Sequence, residues 1–199
     1  MTARNSDVDS TVMFAEREGV GVRHSAASLL EYDLIVVVGN PADAVRAAGG
    51  WLCDRVRAGW RVNVVFTGRI EDADVRPFEV LGVRTLPAGA DPVELVRSGP
   101  AALAVAADVL ESDPGLRADV LRVVERGGTE FTVWGDWQPG VLAGRVSPTR
   151  HRMSGAARAF KKQALAVAGT PGAATDSAEQ FHSCALWYPP EGSDLMPVG

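Results

Sequence analysis

The chain has 199 residues, 46% of them hydrophobic and 23% charged, with a formal net charge of −5. That suffices for one globular α/β domain with a real core, and it excludes a membrane-spanning chain. The longest apolar runs, Leu34–Val38 and Ala101–Ala107, fall far short of the roughly 20 residues a membrane helix needs.

Residues 1–28 are polar and rich in small residues and read as a flexible arm, with no apolar signal-peptide core. Leu34–Val38 is uninterrupted and mostly β-branched, the pattern of a parallel strand buried on both faces. The turn Gly39-Asn40-Pro41-Ala42-Asp43 follows, and a helix starts near Asp43. Pro41 presets its backbone, and Asp43 sits where the helix dipole favours negative charge. Val45, Ala48, Leu52 and Val56 recur at helical spacing as the buried stripe. Gly49-Gly50 inside this helix costs about 1 kcal/mol per glycine relative to alanine, which points to a close approach of helix to sheet. Ala58-Gly59 ends the helix, and Arg61–Phe66 is the second strand.

The alternation continues with a short helix at Pro77–Leu81, a strand at Val83–Leu86 and a helix from Pro92 capped by Asp91. Ala101–Ala107 is another buried strand. Asp113-Pro114 opens a helix through Leu116, Val120, Leu121, Val123 and Val124 to the stop at Gly127-Gly128, and Glu130–Trp134 is a strand. Gly140–Val146 reads as a short strand, Gly155–Ala168 as a helix packing through Ala157, Phe160, Ala164, Leu165 and Val167, and Thr170–Asp176 as a loop. Phe181–Tyr188 is the last strand, and 189–199 reads as a disordered tail. The pattern predicts a single three-layer, Rossmann-like α/β domain over 29–188. Its sheet has about five mainly parallel strands, with a basic C-terminal helix and strand added.

In such folds ligands gather outside the carboxyl ends of the strands, which singles out Gly39, Asn40 and Asp43, then Asp108 and Asp136. Turn and capping duty alone would also explain the first three. The loop is no dinucleotide fingerprint, because no glycine follows Gly39 two residues on and Phe66-Thr67-Gly68 carries no acid. If Asp43, Asp108 and Asp136 converge, they invite a cation such as Mg²⁺. Trp134 and Trp137 around Asp136 are either core residues or the walls of a sugar or base pocket.

Residues 145–162 hold Arg145, Arg150, Arg152, Arg158, Lys161 and Lys162 and none of the chain's 25 acids. Helical spacing puts Arg158, Lys161 and Lys162 in one exposed sector, away from Phe160 and Ala164. Arg150, His151 and Arg152 precede that helix, where Ser154 can cap and backbone N–H groups favour a phosphate or carboxylate. Nucleic acid is a further alternative for this segment, opposed by the overall charge. The two distant cysteines, Cys53 and Cys184, read as free thiols of a reducing cytoplasm or as one disulfide.

Val36-Val37-Val38-Gly39-Asn40-Pro41-Ala42-Asp43, Gly49-Gly50 and Ala58-Gly59-Trp60-Arg61-Val62-Asn63-Val64-Val65 resemble the opening of the LmbE-like N-acetylglucosaminyl deacetylases, zinc hydrolases related to PIG-L. The resemblance covers residues 32–68. It implies a loop in which a histidine and a second aspartate hold zinc while a first aspartate is the general base. The corresponding positions here are Asn40, Asp43 and Ala42. A catalytic zinc usually takes three protein ligands, and nothing at Ala42 can take a proton from metal-bound water. The family's later His-x-x-His type motif is absent, since His24, His151 and His182 stand apart.

The leading expectation is therefore a non-catalytic or regulatory cytoplasmic protein without metal or cofactor. It would bind an anionic small molecule or a protein partner through Gly39, Asn40, Asp43, Asp108, Asp136, Trp137, Arg150, Arg152 and Arg158. The alternatives are an LmbE-like hydrolase of an N-acetylated sugar with an altered zinc site retaining Asp43, or nucleic-acid binding through residues 145–162. A homo-oligomer is compatible with each.

Overall fold

The computed structural model describes residues 22–24, 30–68, 74–136, 140–172, 176–184 and 196–197. The elements alternate as β1 (Val22–His24), β2 (Leu30–Val38), α1 (Pro41–Arg57), β3 (Arg61–Phe66), α2 (Arg76–Val80), β4 (Arg84–Thr85), α3 (Pro92–Arg97) and β5 (Ala102–Ala106). They continue with α4 (Ala107–Ser112), α5 (Pro114–Arg126), β6 (Glu130–Trp134), β7 (Ser147–Arg152), α6 (Gly155–Val167), β8 (Ala178–Cys184) and β9 (Met196–Pro197).

One sheet runs in the order β4-β3-β2-β5-β6-β8-β7-β9, with β1 paired antiparallel to β2. From β4 to β6 all pairings are parallel, and Val36 lies between Val64 and Ala104. Beyond β6 the pairings are antiparallel. The chain is thus α/β with a parallel centre, as the alternation predicts. The sheet has more than five strands because the basic segment and part of the tail add to it.

The connections between parallel strands distribute the helices over the sheet. The chain steps outward from β2 through α1 and α2, then returns through α3 to β5 and goes on through α4 and α5 to β6. Helices α1 and α2 accordingly cover one face, with α6 packed on both, while α3 and α5 pack together on the other. The core between them is aliphatic, with Leu34, Val36, Val37, Leu103 and Val105 fully buried and Trp51 and Phe78 under the helices. No described helix is long and apolar enough to cross a membrane.

Three local readings need correction. Gly140–Leu142 is a 3₁₀ turn, and the strand lies next to it at Ser147–Arg152, where Thr149 and His151 point inward and Arg150 and Arg152 outward. Helix α4 follows β5 without a break and without a capping side chain, so no sequence signal announces it. The last long strand begins at Ala178, and residues 185–188 of its expected span lie outside the described residues. The arm and the tail also lie outside them, apart from β1 and β9.

Where α1, α6 and β8 meet, the joint is ionic and buried. Glu179 accepts backbone N–H bonds from Gly50 (2.8 Å) and Trp51 (2.7 Å) and receives Lys161 Nζ at 2.6 Å. Lys161 and Glu179 are only 3% and 4% exposed. A Cβ on Gly50 would collide with the buried Met153 side chain, so the glycine admits this approach. Lys161 therefore faces inward and Phe160 outward, at 44% exposure, the reverse of the expectation for these two residues, while Ala157, Ala164 and Leu165 are buried and Arg158 and Lys162 exposed as expected. The inward stripe is Ala157, Lys161, Ala164 and Leu165, and Phe160 falls one position off it.

Candidate functional site

The strand order reverses between β2 and β5, since the chain leaves β2 to one side and β5 to the other. At the carboxyl ends of these strands lies a cleft of about 500 Å³. Asn40 and Asp43 reach it from the start of α1, Asp108 and Glu111 from α4, and Asp136 from beyond β6, while the buried Ala106, Ala107 and Trp134 form its base. Asn40, Asp43, Asp108 and Asp136, picked out by their positions after strands, are thus brought together.

Local backbone requirements position these groups. Asn40 is the N-cap of α1, and its Oδ1 accepts from Ala42 N (2.9 Å) and Asp43 N (3.2 Å). Its amide NH₂ remains a donor at the cleft. Gly39 leaves room for Asp108, because a Cβ there would come to 3.0 Å from Asp108 Oδ2. Gly135 adopts φ +103°, a conformation that turns the chain out of β6 and sets Asp136 at the rim.

Asp43 also pairs with Arg46 one turn along the helix, both exposed. Arg46 and Glu111 were not anticipated. Each lies three residues after an anticipated aspartate, which is the spacing of helix neighbours. With four acids and one arginine, the cleft is acidic.

The structure does not bring the arginines to it. Arg150 and Arg152 stand on the outward side of β7, and Arg158 is exposed on α6. Ser154 does cap α6, but its hydroxyl and amide also bind Asp54 in the last turns of α1 at 2.6 and 2.9 Å, joined by His151 Nε2 at 2.9 Å. This end of α1 is remote from Asn40. Burial pushes the Asp54 carboxyl up, yet the bonds from Ser154 and His151 outweigh it and hold the group below its ordinary value. Within the basic segment Lys161 is neutralised by Glu179, and Arg145 pairs with Glu125 at 3.0 Å. Trp137 lies outside the described residues.

The residues present do not fit the zinc centre that the deacetylase resemblance implies. The Asn40 oxygen is committed to the helix cap, Ala42 supplies no base, and Asp43 is paired with Arg46. Among the described residues no group of three or more His, Cys, Asp or Glu is placed to hold a metal. Cys53 and Cys184 are both free thiols, and burial pushes each of them up.

No protein-family model matches the chain, and no curated protein matches it significantly. Solved structures share its fold. A deacetylase of the teicoplanin biosynthesis pathway is 14% identical with a TM-score of 0.53, over 76% of this chain and 97% of its own. The 4-carboxy-2-hydroxymuconate hydratase GalB from Pseudomonas putida is 14% identical with a TM-score of 0.53, over 79% of this chain and 97% of its own. A conserved Thermus thermophilus protein is 17% identical with a TM-score of 0.50, over 79% of this chain and 98% of its own. At such identities the likeness shows the fold. The resemblance of residues 32–68 to the LmbE-like deacetylases is thus accompanied by a likeness of fold to a solved deacetylase.

Proposed function

We propose that this chain is a deacetylase-like hydrolase of an N-acetylated sugar, on a three-layer Rossmann-like scaffold, with a carboxylate-based site in place of the zinc centre. The observation that carries this reading is the convergence of Asp43, Asp108 and Asp136 on one cleft at the reversal of strand order. A carboxylate there can accept the proton of an attacking water, and Asp108, held against Gly39, is the residue to which we assign that role. The Asn40 amide can donate to the substrate's acetamido oxygen or hydroxyls. The acidic lining also complements the ammonium group left on the sugar after deacetylation.

A second reading keeps the ligand and drops the chemistry: a non-catalytic protein that binds the amino sugar. Ala42 at the base position and the capping duty of Asn40 favour it. One experiment separates the two. Acetate release from N-acetylglucosamine and its glycosides is followed alongside calorimetric titration with glucosamine. Acetate release that is lost in Asp108→Asn supports the hydrolase. Glucosamine binding without acetate supports the binding protein, and the absence of both overturns the assignment to this cleft.

A further inference from the structure

On the face of the sheet that carries α3, a separate groove of about 490 Å³ opens over β2, β3 and β4. The parallel register sets Ile35, Asn63 and Arg84 side by side across it, with Asp33 and Arg61 one step nearer the amino ends of the strands. Leu86 and Leu95 add apolar walls. The groove is therefore distinct from the cleft at Asn40, which lies beyond the carboxyl ends of the same sheet.

Two of its groups lack a structural purpose. Asn63 is only 7% exposed, and among the described residues its amide has no hydrogen-bond partner. An asparagine is a poor choice in the middle of a buried strand whose other residues are Val62, Val64 and Val65. What exposure this side chain keeps opens onto the groove, where a ligand can bond to its amide. Arg84 is exposed and has no ion pair among the described residues, while Arg61 Nε lies 3.3 Å from Asp33 Oδ1. Arg84 thus brings to the groove a guanidinium with no ion pair among the described residues, in a chain whose net charge is −5.

We infer that this groove binds a small organic anion, a carboxylate or phosphate ester with a compact apolar body. The guanidinium of Arg84 pairs with the anionic group in its planar fork geometry. The Asn63 amide bonds to a carbonyl, ester or hydroxyl oxygen next to it. The apolar body rests on Ile35, Leu86 and Leu95.

Phenyl phosphate and benzoate serve as probes, with benzyl alcohol as the uncharged control, titrated into the full chain by calorimetry. The expected result is binding of at least one of the anions and none of the alcohol. Arg84→Ala should weaken that binding on the order of tenfold. Asn63→Leu should abolish it while raising the melting temperature of the free protein, because an unpartnered amide gives way to an apolar side chain. Asp108→Asn should leave it unchanged. Failure of both anions to bind, equal binding of the alcohol, or unaltered binding in both Arg84→Ala and Asn63→Leu would overturn the inference. Preference for phenyl phosphate or for benzoate identifies the head group.

Discussion

Replacing Lys161 by methionine tests the buried joint most sharply. Methionine keeps the aliphatic stem and removes the ammonium that lies 2.6 Å from Glu179 Oε1. Removing one partner of a buried pair strands the other charge and costs about 3–5 kcal/mol. Here Glu179 retains the N–H bonds from Gly50 and Trp51, which places the loss near the lower end, about 3 kcal/mol. For a chain of this size that corresponds to a fall of about 6–12 °C in melting temperature. The double variant Lys161→Met, Glu179→Gln removes both charges, and the glutamine oxygen can still accept from the helix. Its loss should be smaller, about 1–2 kcal/mol. Urea unfolding followed by tryptophan fluorescence suits the measurement, because the fully buried Trp51 is part of the joint. A single variant within 1 kcal/mol of wild type, or a double variant less stable than the single, would refute the reasoning.

The two adjacent glycines of α1 should respond differently to alanine. Gly50→Ala drives a Cβ into Met153 and should cost about 1–3 kcal/mol despite the better helix propensity. Gly49→Ala, whose Cβ would meet Val45 and Leu81 at 3.3 and 3.4 Å, should cost much less in the same thermal melts. The depressed Asp54 carboxyl contributes stability that is fully present above the unfolded-chain value of about 3.9 and is lost as pH falls through the folded one. Asp54→Asn should therefore lower stability at pH 7 and flatten its decline between about pH 5 and 2, as urea titrations across that range will show. Asp108→Asn should leave the melting temperature within about 1 °C, since the residue is exposed, while lowering glucosamine affinity in calorimetry.

The parallel half of the fold was legible because each element carries its own signal. Leu34–Val38 could only be a strand buried on both faces, and Asp91 and Asp113 cap the helices that follow them, as side-chain bonds to Val93 N and Leu116 N confirm. Strands β3 and β6 fall where expected for the same reason. The signal failed where tertiary contacts decide. Lys161 reads as a surface cation, but Glu179 eighteen residues later draws it inward. The segment around Arg150 reads only as a basic stretch ahead of a helix, and pairing with β8 makes it a strand. At the cleft, positions after strands pointed to Asn40, Asp43, Asp108 and Asp136, which all line it. Glu111 was hidden because α4 starts without a cap, and Asn63 because a single polar residue in a strand says nothing about a groove until its neighbours across the sheet are known.

The role of the strand-end cleft is tested most directly by titrating glucosamine into isotope-labelled protein and mapping the backbone amide shifts. The predicted result is a saturable set of shifts confined to Asn40, Asp43, Asp108, Glu111 and Asp136 and their neighbours, diminished in Asp108→Asn. Shifts centred elsewhere, or no saturable shifts at all, would contradict it.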